Sequence, residues 1–404
     1  VKQLYLSALE IFEKTSGSEH SDTAMVLDNL AMLFSEQGLY IKAEPLYLRA
    51  LEIKNKALGP EHPDTAISLN NLALLYDKQG LYNKAEPLYL RALEIKNKAL
   101  GSEHPSTAMI LNNLAMLYYA QGLYSKSMPL HQRALEIRQK VLDPEHPDTA
   151  MSLNNLALLY SGLGFYSKAE SLNIRALEIY QKIIGPEHPY IAHILNNLAL
   201  LYMDQGLYSK AEPLSIRALA ITEKALGAEH HNTALSLNNL AGLYNEQNFY
   251  SRAQPLYHRA LAIIEKALGE DHQSTANSLY NLALLYLEQG IYSKAVPLAR
   301  RGLEIDSRLI QREAPYLIQF ERQAFIRSLG RSYEAVISAA SQRPSGANLA
   351  LFAKLNRQGL LEEIEKRQAQ LAALPGSQQV VADELRGLTV RLSSMSLNAD
   401  QRQN

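Results

Sequence analysis

The 404-residue sequence contains no cysteine and no tryptophan. Without cysteine there are no disulfide bonds, no thiolate metal sites and no cysteine nucleophile. There is also no apolar run near the roughly 18 residues that a membrane-spanning helix needs. The 40 Lys and Arg nearly balance the 41 Asp and Glu, so charge offers no case for binding nucleic acid or an anionic membrane.

The residues that are present favour a folded, non-catalytic protein. Hydrophobic residues make up 47% of the chain and charged residues 20%, which is typical of a packed protein. Phosphate-binding loops, zinc-protease spacing and a Ser/His/Asp grouping are all missing, so we expect no enzyme activity, cofactor or metal. No signal peptide opens the chain, and we expect a cytoplasmic location. Val1 in place of Met suggests that the natural chain begins earlier.

A repeat of 42 residues dominates the first three quarters of the sequence. Each copy contains Leu-Asn-Asn-Leu-Ala or a close variant of it. The second Asn of this phrase falls at Asn29, Asn71, Asn113, Asn155, Asn197, Asn239 and Asn281. Residues 1–19 align with the second half of a copy. The sequence therefore predicts a half repeat followed by seven full repeats, over residues 1–306.

Each repeat predicts two helices, as residues 63–101 illustrate. Pro63 suits the first turn of a helix, and apolar residues follow it at spacings of three and four. Gly80 ends this helix, and a second one runs from about Tyr82 to Leu100. One such pair cannot bury its own apolar stripe, so the pairs are predicted to stack into a solenoid.

The spacing of Leu, Ala, Tyr and Gly in this unit resembles the tetratricopeptide repeat. The phrases His-Pro-Asp-Thr-Ala, Leu-Asn-Asn-Leu-Ala-Leu-Leu-Tyr and Ala-Glu-Pro-Leu-Tyr are similar to the kinesin light chain subtype. The resemblance covers residues 1–306. It implies an all-α fold, a right-handed α-α superhelix, whose concave groove binds a protein or peptide.

Helical geometry sorts the first helix of each repeat into two faces without the resemblance. At about 100° per residue, Leu69, Leu72, Ala73 and Tyr76 cluster on one side. The opposite side carries Ile67, Asn70, Asn71, Leu74, Asp77 and Lys78. This second side faces the groove if the first helices line it, as the resemblance implies. The candidate groove residues are Asn70, Asn71, Leu74, Asn112, Asn113, Met116, Asn154, Asn155, Leu158, Asn196, Asn197, Asn238 and Asn239.

These candidates form two asparagine rows, one through Asn112 and the other through Asn113. An Asn side chain both donates and accepts hydrogen bonds, which suits a peptide backbone. The neighbouring Met and Leu rows can receive apolar side chains. Alternatively, the asparagines bond to neighbouring segments and fix the stack. We favour ligand contact for the first row and weigh both roles equally for the second.

Charged and histidine rows are predicted to be structural. Apart from Lys78, which Asp77 and acidic residues of other repeats offset, the groove side of the first helices lacks the Lys and Arg that would clamp a peptide carboxylate. The row of Arg91 is expected to pair with Glu three residues later, with an acidic ligand as the alternative. Seven histidines, from His20 to His272, lie in the links between repeats. Neighbouring links are too far apart to share a metal ion, so a helix-cap or link role is favoured.

The 42-residue period stops at the end of the seventh repeat. We predict capping helices over 307–345, an antiparallel helical hairpin over 346–394 and a flexible tail over 395–404. Stretches such as Gln-Arg-Glu-Ala-Pro and Leu-Asn-Arg-Gln-Gly-Leu-Leu-Glu-Glu-Ile are similar to the region before the caspase-like domain of bacterial CHAT proteins. This resemblance covers 311–394 and supplies no catalytic residue.

Two functions follow from these patterns. We favour a protein-interaction scaffold that binds a peptide or protein segment in the groove. The alternative is the sensor part of a CHAT-type protease whose catalytic domain lies beyond residue 404. A third possibility is self-inhibition, with the hairpin lying in the groove. The sequence does not indicate an oligomeric state.

Overall fold

The computed structural model describes residues 2–313 and residue 336, and this part of the chain contains fifteen helices and no strand. The first helix, α1 (Lys2–Thr15), is the second helix of the half repeat, and seven helix pairs follow it. The even-numbered helices, which come first in each pair, are α2 (Ser21–Glu36), α4 (Pro63–Lys78), α6 (Pro105–Ala120), α8 (Pro147–Gly162), α10 (Pro189–Asp204), α12 (His231–Glu246) and α14 (Gln273–Glu288). Their odd-numbered partners are α3 (Tyr40–Ala57), α5 (Tyr82–Leu100), α7 (Tyr124–Val141), α9 (Tyr166–Ile184), α11 (Tyr208–Leu226), α13 (Tyr250–Leu268) and α15 (Tyr292–Glu313). The predicted all-α fold of stacked helix pairs is confirmed.

The described residues fall into two compact units. The first unit contains residues 2–102 together with 307–313, and the second contains residues 103–306 together with Val336. Consecutive helices pack on one another within each unit. The second unit includes four complete helix pairs, α6–α7 to α12–α13, and it supplies most of the candidate site.

A link histidine caps the start of every even-numbered helix. In α4, Nδ1 of His62 accepts a hydrogen bond from the backbone N–H of Asp64 at 3.1 Å. This bond satisfies one of the N–H groups that a helix start leaves without an intrahelical partner. The same bond is made by His20, His104, His146, His188, His230 and His272. The predicted cap role of these histidines is confirmed.

The ends of the even-numbered helices are set by residues that adopt a left-handed backbone conformation. Gly80 has a φ of 68°, which glycine adopts without steric cost. Asn248 takes the equivalent place after α12 with a φ of 60°. Asparagine tolerates this conformation better than most residues, so the turn keeps its shape without glycine there.

Small residues let the helices of each pair approach closely. In the second unit, Ala157 of α8 and Ala169 of α9 are fully buried. An apolar cluster in the last repeats includes Leu240, Tyr257 and Val336. Val336 is buried in this cluster, and the capping helices over 307–345 stay a prediction.

Two predicted segments are reached only in part by the described residues. Helix α15 continues without a break past residue 306, where the solenoid was predicted to end. The predicted hairpin at 346–394 and the tail at 395–404 lie outside the described residues. Within residues 2–313, none of the helices combines the length and the apolar character that crossing a membrane demands. The cytoplasmic location stays a prediction.

Candidate peptide-binding face

Each even-numbered helix keeps one narrow stripe of side chains away from its packed neighbours. In α4 this stripe contains Ile67, Asn71, Leu74 and Lys78, all half-buried or exposed. Steps of three and four residues place the four side chains within about 60° around the helix axis. We call this stripe, and the equivalent stripe of every other even-numbered helix, the open face of that helix. The stripes of α6 to α14 form the open face of the second unit.

The second asparagine row lies along the middle of the open face. Its members in the second unit are all half-buried: Asn113, Asn155, Asn197, Asn239 and Asn281. Nδ2 of Asn197 also donates to Oδ1 of Asn154 on the preceding even-numbered helix at 2.8 Å. The row therefore remains accessible to a ligand while at least one member also braces its neighbour.

The first asparagine row is not on the open face, contrary to what helical geometry predicted. Asn70 and Asn112 are each only 3% exposed, and Asn154 and Asn196 are also buried. Each lies about 100° around the helix from its neighbour in the second row. In the second unit, this turn directs the first-row residue to the flank of the helix that the next even-numbered helix covers, as the bond from Asn196 Nδ2 to Ser236 Oγ at 3.1 Å shows. Asn238 of the same row is half-buried.

Asn112 shows what the first row does. Its Nδ2 donates to Ser152 Oγ at 3.0 Å, and its Oδ1 accepts from Nδ1 of His131 at 2.9 Å. Arg138 Nη1 donates both to Ser152 Oγ and to the backbone carbonyl of Asp148, each at 2.8 Å. These bonds join α6, α7 and α8. Asn112 is thus part of a buried polar network that holds two repeats together.

The imidazole of His131 is fully buried in this network, and burial lowers its pKa to about 4. Its Nε2 has no hydrogen-bond partner within the described part of the chain. A proton added there would be an unpaired buried charge, so the folded protein keeps His131 neutral at physiological pH.

Other repeats place different polar groups at the same positions. In the first unit, Asp28 replaces Asn and accepts from Lys54 Nζ at 2.9 Å and from Ser68 Oγ at 2.7 Å. Burial raises the pKa of Asp28 in spite of the nearby ammonium group. In the last repeat, Tyr280 replaces Asn, and its hydroxyl donates to Oδ2 of Asp306 at 2.7 Å.

Apolar side chains flank the asparagine row on the open face of the second unit. The row on one side includes Met151 and Leu235, which are 37% and 51% exposed. The row on the other side includes Met116, Leu158 and Leu200, which are half-buried or exposed. Exposed apolar groups on both sides of hydrogen-bonding amides are suited to a ligand with a polar backbone and apolar side chains.

The end of the open face is acidic in the last three repeats. Asp204, Glu246 and Glu288 occupy equivalent positions and are exposed, whereas Ala120 and Gly162 hold these positions in the two preceding repeats. Desolvation raises the pKa of Asp204, and desolvation together with the Glu246 charge raises the pKa of Glu288. The acidic groups thus give one half of the face a charge that the other half lacks.

The arginine row makes ion pairs on the odd-numbered helices. The expected pairing three residues later is present at Arg91 with Glu94 and at Arg175 with Glu178. Arg133 also has this partner, at a longer 3.4 Å. Arg49 and Arg301 instead bind Glu13 and Glu265 of the preceding odd-numbered helix, at 2.7 and 2.5 Å. These arginines already have carboxylate partners.

The sequence pattern missed buried polar residues on the odd-numbered helices, some of which bond to side chains at the first-row positions. Lys54 and Arg138 occupy one repeat position, and Tyr89 and His131 occupy another. All four are buried. The sequence did contain one signal for these residues. At positions where an amphipathic helix should be apolar, the repeats carry polar residues that vary from one repeat to another. Within the described residues, no group of three or more His, Cys, Asp or Glu is arranged to hold a metal ion.

The match to a sequence family agrees with the stacked helix pairs. The tetratricopeptide repeat family matches overlapping segments of the chain: 2–56, 29–98, 78–140, 106–182, 148–202, 190–257 and 234–308. Together these segments cover most of the sequence, and the chain belongs to the tetratricopeptide repeat family. No curated protein matches it.

Solved structures that are similar to this chain include kinesin light chain-like and Rap proteins. BtubC (BKLC) from P. vanneervenii has 24% identity and a TM-score of 0.47, over 56% of this chain and 92% of its own. A kinesin light chain-like protein of Podosopora anserina has 31% identity and a TM-score of 0.42, over 51% and 97%. A Rap protein complexed with Competence and Sporulation Factor has 16% identity and a TM-score of 0.52, over 86% and 99%.

The resemblance to CHAT proteins is not supported by these comparisons. The family match ends at residue 308, and the CHAT-like stretch begins at residue 311. Nearly all of that stretch lies outside the described residues. The role of sensor for an attached protease therefore stays a prediction.

Proposed function

We propose that this protein is a non-enzymatic interaction scaffold whose open face binds an extended segment of another polypeptide. The observation that carries the proposal is the half-buried row of Asn113, Asn155 and Asn239 between exposed apolar rows. The face offers hydrogen bonds and apolar contacts in alternating lines. Within the described residues, no group of three or more His, Cys, Asp or Glu side chains is arranged to hold a metal ion.

An extended ligand suits this arrangement better than a helical one. The backbone groups of an α-helix are bonded within the helix, whereas an extended strand leaves its N–H and C=O groups free. Asn amides can serve both kinds of free group. Five even-numbered helices at spacings of about 8–10 Å match roughly 10–12 extended residues.

Structural neighbours support peptide binding at the level of the fold. A Rap conjugation gene regulator of plasmid pLS20, described in complex with the Phr* peptide, has 14% identity and a TM-score of 0.53, over 72% of this chain and 74% of its own. The Rap protein noted above is likewise described in complex with Competence and Sporulation Factor. A stack of helix pairs is therefore compatible with a peptide ligand. The chemistry of the ligand that this chain binds depends on its own side chains.

The proposal is tested by selecting dodecapeptides from a random display library on the full chain and measuring their affinities. Asn155→Ala combined with Asn239→Ala is expected to weaken the selected peptides. Each lost hydrogen bond contributes about 1 kcal/mol, so the double change should weaken binding roughly 30-fold. Circular dichroism of the variant should match that of the wild type.

A matched control is available on the odd-numbered helices. Asn55 and Asn97 are exposed there, and their change to Ala removes the same two amides from another surface. This control should leave affinity unchanged. If the control weakens binding as much as the open-face variant, or if neither variant does, the asparagine row does not hold the ligand.

A further inference from the structure

The open face of the second unit is chemically divided along the direction of stacking. In α6 and α8 it ends in Ala120 and Gly162 and is otherwise apolar or amide in character. In α10, α12 and α14 it ends in Asp204, Glu246 and Glu288. A ligand that lies along the face therefore meets a neutral half and an acidic half.

The carboxylates of the acidic half are not neutralised by an ion pair within residues 103–306. Among the described residues, Asp204, Glu246 and Glu288 form no ion pair. On the odd-numbered helices, by contrast, Glu223 of α11 pairs with Arg259 of α13. Within residues 103–306, the polar contact made to these three carboxylates is the bond from Asn245 Nδ2 to Glu288 Oε2 at 2.7 Å. The open face of α6 to α14 contains neither Lys nor Arg.

The protonation states of the face agree with an unbalanced negative charge. Desolvation lowers the pKa of His193, which lies on the α10 stripe, so this imidazole supplies no cation near neutral pH. The raised pKa values of Asp204 and Glu288 mean that the protein disfavours their charged forms. A cation bound beside them would relieve this penalty.

We propose that the open face of the second unit selects a partner segment that is apolar at one end and cationic at the other. The apolar end lies over Met109, Met116, Met151 and Leu158, and Lys or Arg side chains of the other end lie beside Asp204, Glu246 and Glu288. The inference rests on the proposed function. It adds the charge of the ligand and the half of the open face that binds the charged end.

The spacing of the helices defines the probe. Carboxylates on neighbouring even-numbered helices about 8–10 Å apart correspond to cationic residues about three positions apart in an extended peptide. The probe is a fluorescein-labelled dodecapeptide with Leu and Met in one half and Lys at every third position in the other. The probe is made in two versions, with the apolar half at the N-terminus or at the C-terminus. Two matched sets carry Glu or Ser in place of Lys.

Fluorescence anisotropy on the full chain gives the affinities. The Lys probe in one of its two directions should bind about tenfold more tightly than its Glu counterpart, and added salt should reduce the difference. Asp204→Asn, Glu246→Gln and Glu288→Gln together should abolish this preference. The control Glu136→Gln, Glu178→Gln and Glu304→Gln removes three exposed carboxylates from odd-numbered helices and should preserve it.

The outcomes separate the two proposals. Equal affinities for the Lys and Glu probes, or loss of preference in the control, overturn charge selection. Charge selection can fail while the proposed function stands. This is the result if the Ser probe still binds and the double variant Asn155→Ala, Asn239→Ala lowers its affinity. If none of the probes binds, this inference is wrong, and the library selection decides the proposed function on its own.

Discussion

Each repeat has its own set of buried polar side chains, and the surface of the repeat does not show this difference. Asn112 bonds to His131 and Ser152, whereas Asp28 binds Lys54 as a buried ion pair. A buried polar group is favourable only when its partners are in place. Each of these repeats is therefore matched to its own neighbour more closely than the recurring sequence suggests.

Acid should destabilise the network around His131. Its folded pKa of about 4 lies below the ordinary value of 6.5, so the unfolded chain takes up the proton first as pH falls. Stability conferred by the neutral imidazole is present above pH 6.5 and is lost toward pH 4. The free energy of unfolding should fall by about 3 kcal/mol from this group over that range.

The measurement is urea unfolding at several pH values for the wild type and for His131→Asn. Asn occupies the equivalent position in the next repeat, as Asn173, so the variant keeps a group that this position accommodates. The difference in stability between the two proteins should shrink or reverse as pH falls from 7 to 4. A difference that stays constant with pH would contradict the buried neutral histidine.

Gly302 and Tyr280 form a compensated pair in the last repeat. A Cβ at Gly302 would lie 2.7 Å from Cε1 and 2.9 Å from Cζ of the tyrosine ring, which the bond to Asp306 holds in place. Gly302→Ala should therefore destabilise the protein by about 1–3 kcal/mol. Other repeats have Ala at this position and Asn in place of the tyrosine, as in Ala260 with Asn238.

A double-mutant cycle checks the pair by thermal or urea unfolding. Tyr280→Asn in the Gly302→Ala background should recover much of the lost stability, because the smaller side chain makes room for the methyl group. Strict additivity of the two changes would show that the ring and the glycine are independent.

At the scale of helices, the sequence predicted the elements well because their ends have local chemical causes. The first helix of the second repeat begins at Pro63, and the second helix spans Tyr82–Leu100, as predicted. Proline, glycine and the link histidine act within one or two residues of each helix end. Periodicity did not predict which flank a neighbouring helix covers, and so it placed the Asn70 row on the wrong surface.

The histidine caps should contribute measurably to the even-numbered helices. His62→Ala removes the acceptor for the Asp64 N–H and should cost about 1 kcal/mol of stability. His62→Ser keeps an acceptor at the cap and should remain within a few tenths of a kcal/mol of the wild type. Urea unfolding of the two variants distinguishes them, and equal losses for Ala and Ser would contradict the cap role.

At the scale of the molecule, stacking and binding use different sides of the same helices. In the second unit, Asn112 and Asn196 fasten one repeat to the next, while Asn113 and Asn197 remain partly accessible one residue later. Stability in such an array comes from contacts between neighbouring repeats. The open face can therefore vary in chemistry, as it does between Gly162 and Asp204, without loss of the stack.

The absence of cysteine allows a direct test of the central claim, that the open face holds a polypeptide. Single cysteines introduced by Asn155→Cys, Asn239→Cys and Asn97→Cys can be modified with a thiol reagent, with and without a library-selected dodecapeptide. The peptide should slow modification at positions 155 and 239 and leave position 97 unchanged. Unchanged rates at positions 155 and 239 in the presence of saturating peptide, or slowing at position 97 instead, would contradict the account.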